Sequence, residues 1–242
     1  MIDTIPAFVQ PSVASGAVFI GLVVGLCVGW VLAVRKVAPG AVRGFGAALL
    51  LWLAITAGWS MALDRWHLLP LFLGFFAASN GMGLVLALSP LGRRLAALPL
   101  SLTVGFQAFR VPLEVVLHRW GQEGVIPVEM TWEGYNLDVL SGVICGLAGL
   151  WLWRQPQSRA VAWVANSVGL ALLLNVAFTA VNSSPLTFAR YAADPPLLLA
   201  LVVPWCWIVP ICVASALAGH VLVFRRLLGG ATSPLDGAPR VA

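Results

Sequence analysis

Residues 103–118 read TVGFQAFRVPLEVVLH, and this run decides the fold because it sets two full charges in an otherwise apolar stretch. On a helix turning about 100° per residue, Thr103, Gln107, Arg110, Glu114 and His118 fall within an arc of about 80°. A membrane helix with one wet stripe turns that stripe toward protein or water and offers the rest to lipid. The energetics agree. An arginine or acid at mid-span costs ~2.5–3.5 kcal/mol, and each Leu, Ile, Phe or Val returns ~0.3–0.6. Eleven such residues lie between Ala97 and Arg119. They return about 3–7 kcal/mol, which only balances the charged pair, so the span depends on its neighbours. Helical side chains lean toward the N-terminus, so Glu114 is expected to lower its carboxylate onto Arg110.

The rest of the chain supplies those neighbours. Its 242 residues are 60% hydrophobic and only 10% charged, against about 25% charged in soluble domains. A helix needs ~20 apolar residues to cross the hydrocarbon core. Seven such stretches are present, at 13–34, 43–63, 69–90, 97–119, 136–153, 160–182 and 197–224. They are too long and continuous for the alternating strands of a barrel. The expected fold is therefore all-α: one seven-helix transmembrane domain over 1–228, with a Gly- and Pro-rich tail, 229–242, expected to be disordered. With the N-terminus outside, ten basic residues face the cytoplasm and only Arg65, Arg119 and Arg190 face out. The positive-inside bias thus predicts an N-out, C-in topology. Asp3, Asp64, Glu123, Glu129, Glu133 and Asp194 all fall on the outer side. The +5 net charge is spread along membrane edges and forms no patch with interleaved aromatics, so nucleic-acid binding is not expected. The first span lacks a basic n-region and exceeds a signal h-region, and it is read as retained.

Other spans place polar groups at matching depth. Asn175, Thr179 and Asn182 share about 60° of the sixth span. Asn80 lies near the middle of the third, beside Gly81 and Gly83, which allow close backbone approach. Trp52, Thr56, Trp59 and Ser60 share one face of the second. The outer loop RWGQEGVIPVEMTWEGYNLD, from Arg119 to Asp138, is broken into turns by Gly121, Gly124, Pro127 and Gly134 and is expected to form a lid. Asn136 is expected to cap the fifth helix, with Asp138 in its first turn. In the last span, Pro204 and Pro210 remove backbone donors and predict a kink, with Trp205 and Trp207 lining the pocket. In the first, Ala17, Gly21, Gly25, Gly29 and Ala33 recur every fourth position. That small-residue seam is expected to pack inside the bundle, with homodimerisation through helix one as its second use.

Several functions are excluded. A retinal protein needs a Schiff-base lysine in its last span, and the only lysine is Lys36, in a cytoplasmic loop. Cys27, Cys145, Cys206 and Cys212 have no metal spacing and read as apolar packing residues. His67 and His118 lie outside and His220 near the inner end, so neither a metal nor another cofactor is expected. No nucleophile elbow, H-E-x-x-H or Walker loop is present.

Two function classes remain beside a purely structural subunit in which the Arg110–Glu114 pair only fixes packing. The first is a sensor or small transporter whose outward-opening polar cavity holds a small ligand by an anionic group on Arg110. Glu114 balances the charge and His118 supplies pH sensitivity. Gln107, Asn80, Asn175, Glu133, Asn136 and Asp138 complete the expected ligand-binding set. The second is an intramembrane enzyme acting on a lipid or lipid-linked substrate at the outer leaflet. There Glu114 or His118 is the candidate catalytic base and Arg110 the electrostatic clamp. The inner half holds few polar groups, which weighs against transport.

The segment QAFRVPLE…GVIPVEMTWEGYNLDVLSG, from Gln107 to Gly142, resembles a group of uncharacterised bacterial inner-membrane proteins. They share Q-x-F-R-x-P-x-E followed by P-x-x-M-T-x-E-G-x-N-x-D. The resemblance covers about a seventh of the chain and brings no activity with it. It implies a multi-pass protein of the bacterial inner membrane in which Arg110, Glu114, Met130, Glu133, Asn136 and Asp138 belong to one unit.

Overall fold

The computed structural model describes residues 7–62, 69–185 and 190–229. Asp3, Asp64, Arg65, His67 and the tail beyond Gly229 lie outside the described residues. Every regular element among those described is helical. The long helices are α1 (Val13–Val37), α2 (Val42–Ala62) and α3 (Leu69–Leu88), then the short α4 (Pro90–Ala96) and α5 (Leu100–Gly105). They are followed by α6 (Arg110–Gln122), α7 (Asp138–Arg154), α8 (Arg159–Ser183) and α9 (Ala214–Gly229).

Five segments are long and apolar enough to cross a membrane, and a sixth is added if the bent α3–α4 pair counts as one span. The seventh expected span is α7. At 17 residues it is ~26 Å long, a little short of the ~30 Å hydrocarbon core. The α3–α4 pair turns through 70°. Ser89 caps α4 through a hydrogen bond from Gly92 N (3.0 Å), with Pro90 in the first turn. A Cβ at Gly92 would lie 2.2 Å from the Ala87 carbonyl oxygen, so the bend requires glycine. Arg225 of α9 donates to the carbonyls of Ala87 and Ser89 at this break.

The stretch 97–119 is not one helix. Phe106–Phe109 tightens into a 3₁₀ turn between α5 and α6. Pro112 explains the break, because its ring opposes the carbonyl four residues earlier and its missing N–H is tolerated in the first turn of α6. The last span likewise opens with a 3₁₀ turn (Trp205–Ile208) and a π-helical turn (Val209–Val213) containing Pro210 before α9 begins.

Residues of the final segment are mostly interior: 72% of its most apolar stretch is buried, against 11% for Pro39–Ala62. Helix α9 therefore forms the centre, packed on α3, α4, α5 and α8, while α7 packs on α5, α6 and α8. Gly83 permits the α3–α9 approach, since a Cβ there would meet the Ala214 carbonyl oxygen at 2.7 Å. Gly81 has no such neighbour. Helix α1 buries Phe19, Val23, Leu26, Trp30 and Val34. Its small-residue seam does not pack inside the bundle. Ala17, Gly21 and Gly25 are exposed, and Gly29 and Ala33 half-buried. The large apolar side chains of α1 drive burial, and they occupy the other face.

Candidate ligand-binding site

The polar stripe faces inward as helical geometry predicts. Gln107, Arg110 and Glu114 are each at most 1% exposed. The partner of Arg110, however, is not Glu114. Arg110 Nε donates to Asp138 Oδ2 at 2.5 Å and Nη2 donates to Oδ1 of the same carboxylate, giving a two-pronged ion pair between α6 and the first turn of α7. Arg110 Nη1 donates to the Gly169 carbonyl and to His220 Nε2, both at 3.1 Å. Arginine only donates, so His220 Nε2 is the acceptor and its hydrogen sits on Nδ1. That nitrogen faces Asn166 Oδ1 at 2.9 Å, and Asn166 Nδ2 returns a bond to the His220 carbonyl at 3.2 Å. Four of the five guanidinium N–H groups thus have partners. The network ties α6, α7, α8 and α9 together.

Glu114, one turn along, is treated differently. Its Oε2 accepts from Asn136 Nδ2 at 2.7 Å, and its other oxygen has no partner among the described residues. Asn136 also donates to the Met130 carbonyl (3.0 Å) and accepts from Asp138 N (3.0 Å). The N-cap of α7 is Leu137 and not Asn136 as expected; from one residue earlier Asn136 takes up the N–H of Asp138 and holds Glu114 as well. The loop carrying Asn136 contributes Met130 to the wall of the neighbouring cavity. Val125, Ile126, Met130 and Thr131 are all buried, so the loop is wedged into the bundle.

Beside this cluster lies a cavity of about 80 Å³. Its wall is almost wholly apolar, built from α3, α6, α8 and the irregular start of the last span, with Phe75, Phe109, Leu113, Val176 and Val209 prominent. The charged groups in the wall are Arg110, Glu114 and Asp138. One cation and two carboxylates leave one negative charge when both acids are ionised. Room for one water takes ~10–15 Å³ by this measure, so the space suits a few waters or one small organic group.

The other expected site residues are scattered. His118 stacks on Trp132 (ring centroids 4.1 Å apart), meets Gln122 Nε2 at 3.0 Å and lies 3.8 Å from Glu133, forming a separate group at the end of α6. Asn80 bonds to Phe76 O of its own helix at 2.9 Å, and Asn175 to Tyr135 O at 2.6 Å. Gln107 donates to Ala216 O at 2.9 Å, and its Oε1 is buried without a partner among the described residues. None of these five lines the cavity, and neither do Trp205, Trp207 or any residue of α2. Trp205 packs instead on Phe19 and Trp120, and Trp207 donates to Leu53 O at 3.2 Å. Sequence reasoning missed His220 as a partner of Arg110 and Asn166 as the residue that holds His220. Their signal was a histidine in the last span and an asparagine in the sixth that no other reading had used.

Comparison of the chain with protein-family models, with curated proteins and with solved structures finds no match.

Proposed function

We propose that the chain is a seven-span, N-out/C-in protein of the bacterial inner membrane that binds a small amphipathic guest, as a sensor or small transporter. The basic-residue asymmetry supports the orientation. The length of α7, only slightly below the core thickness, supports the seventh crossing. Glu114 carries the reading of the site. It is a buried carboxylate on the wall of an apolar cavity with one oxygen unpartnered among the described residues. The adjacent arginine is already matched by Asp138.

This arrangement reverses the expected sign of the guest. An anion would have to compete with Asp138 for Arg110, whereas an ammonium or hydroxyl group meets a free carboxylate oxygen. The apolar remainder of such a molecule is accommodated by Phe75, Leu113 and Val176. Catalysis on a lipid is the weaker reading, because His118 does not line the cavity and Glu114 would work alone.

The test uses protein in lipid nanodiscs and three probes of equal length: n-butylamine, n-butanol and n-butanoate. Ligand-observed saturation-transfer NMR is expected to show contact with the amine and alcohol in preference to the carboxylate, with Glu114→Gln weakening the amine about tenfold or more. Preferred binding of butanoate, or an amine signal indifferent to Glu114→Gln, would overturn the proposal. The exposed part of the α1 seam, Ala17, Gly21 and Gly25, which lies outside the groove lined by Gly29 and Ala33, supports homodimerisation as the partner reading. Gly25→Leu is then expected to shift a cross-linked dimer to monomer.

A further inference from the structure

A second feature lies at the opposite end of the bundle and is independent of Glu114. A groove of about 520 Å³ runs between α1, α4, α5 and α9. This falls within the ~300–1,000 Å³ of ligand-sized pockets. Its walls are apolar, with Gly29, Ala33, Leu98, Leu102 and Phe106 along them, and the chain's only lysine, Lys36, stands in its lining. Lys36 and its neighbour Arg35 are exposed, as are Arg93 and Arg94 on α4, which packs against the end of α1. No described carboxylate forms an ion pair with any of the four.

We infer that this groove is a binding site for one anionic phospholipid, with an acyl chain along the apolar walls and the phosphate at Lys36. Three observations converge on that occupant. Apart from Lys36, Ser101 and Thr103 the lining is apolar, and the Thr103 hydroxyl is bonded within its own helix, so a chain without polar groups fills the groove at little cost in lost hydrogen bonds. The charge at its end is positive and unopposed, which matches a phosphate. The same end carries the basic majority that orients the chain toward the cytoplasm, where anionic lipid is enriched. A second copy of the chain is a poorer occupant. A symmetric contact through this face brings like charges on Arg35 and Lys36 toward their counterparts and supplies no acid to offset them.

Substitution can address chain and headgroup separately. A Cβ at Gly29 meets nothing within 4 Å, so Gly29→Leu fills the groove without displacing backbone. Lys36→Gln removes the charge and leaves the walls intact. The full chain is reconstituted in vesicles of phosphatidylcholine and phosphatidylglycerol at equal proportion, solubilised, and examined by native mass spectrometry for retained lipid. The native chain is expected to keep one phosphatidylglycerol in preference to phosphatidylcholine. Lys36→Gln is expected to lower that preference about fivefold, and Gly29→Leu to lower retention of either lipid. Should Gly29→Leu reduce folded yield, Leu102→Trp fills the groove from the opposite wall, at a side chain already 53% exposed, and is read in the same way.

Three results would overturn the inference. One is a phosphatidylglycerol preference unchanged by Lys36→Gln. Another is retention lost in Lys36→Gln but unaffected by filling the groove, which would mark a diffuse surface attraction. The third is a native dimer that Gly29→Leu converts to monomer, which would assign the groove to a second copy.

Discussion

Arg110 and Glu114 sit one helical turn apart on the same buried stripe, yet their surroundings are opposite. Around Arg110 nearly every hydrogen-bonding position is filled, by Asp138, Gly169 and His220 from three helices. Around Glu114 a single amide side chain supplies the contact, and the residue lines a cavity. Charge alone therefore does not mark a functional position in a membrane bundle. A matched charge acts as a joint between helices, and an incompletely matched one is open to a guest. On this view the Arg110 side should respond to substitution in stability, and the Glu114 side in binding.

The largest effect is expected at Asp138. Asp138→Ala leaves a buried guanidinium without its counter-ion, which typically costs ~3–5 kcal/mol. Thermal unfolding in detergent or nanodiscs should show it, or folded protein should fail to accumulate. Removing both charges, with Arg110→Met and Asp138→Leu, is expected to recover most of that loss. A double variant as unstable as Asp138→Ala would show that the joint depends on more than charge matching.

Next comes Gly169, where a Cβ would lie 2.8 Å from His220 Cε1 and 3.1 Å from Cys145 Sγ. The imidazole is held from both sides by Arg110 and Asn166 and cannot easily yield. Gly169→Ala is expected to cost ~1–3 kcal/mol by the same melting measurement. Glu114→Leu should by contrast change stability by about 1 kcal/mol or less, because Asn136 keeps its bond to Met130 O. A large loss of stability there would erase the distinction between the two sides.

The smallest effect belongs to Glu123, just past the end of α6. Burial pushes its carboxyl up, but hydrogen bonds from Ser12, Ser15 and Arg119 outweigh this and hold it below the ordinary carboxylate range. A folded value below the unfolded one gives stability that is present above the unfolded value and lost as pH falls through the folded one. Acid titration of the melting temperature should therefore show a small decline below about pH 4, and Glu123→Gln should flatten it.

Much of this was legible in sequence, and the misreadings have a common cause. Helical periodicity placed Gln107, Arg110 and Glu114 on one inward face, because burial there depends only on local geometry. It could not choose the partner of Arg110. Glu114 is near in sequence, while Asp138 reaches it through the packing of α7 on α6, and its ordinary role at a helix start supplied a sufficient explanation. His220 reads as lying near the inner end because depth is counted in residues along the span, and a kink predicted at Pro204 and Pro210 does not say what the helix beyond it faces. The 3₁₀ and π turns around Pro204 and Pro210 change where α9 begins and what it faces. The seam of α1 was read inward because small residues permit close packing, but permission is not a driving force. Phe19, Trp30 and Val34 decided which face was buried.

The central position of α9 has a consequence for biogenesis. Membrane chains emerge from the ribosome N-terminal end first, so the segment around which the others assemble emerges after the other described helices. Until it does, His220 is missing from the Arg110 network and Arg225 from the broken end of α3. A nascent bundle stalled before residue 214 would carry exposed polar groups in lipid, a state that quality-control proteases can recognise. Closure of the interior thus waits on the emergence of α9.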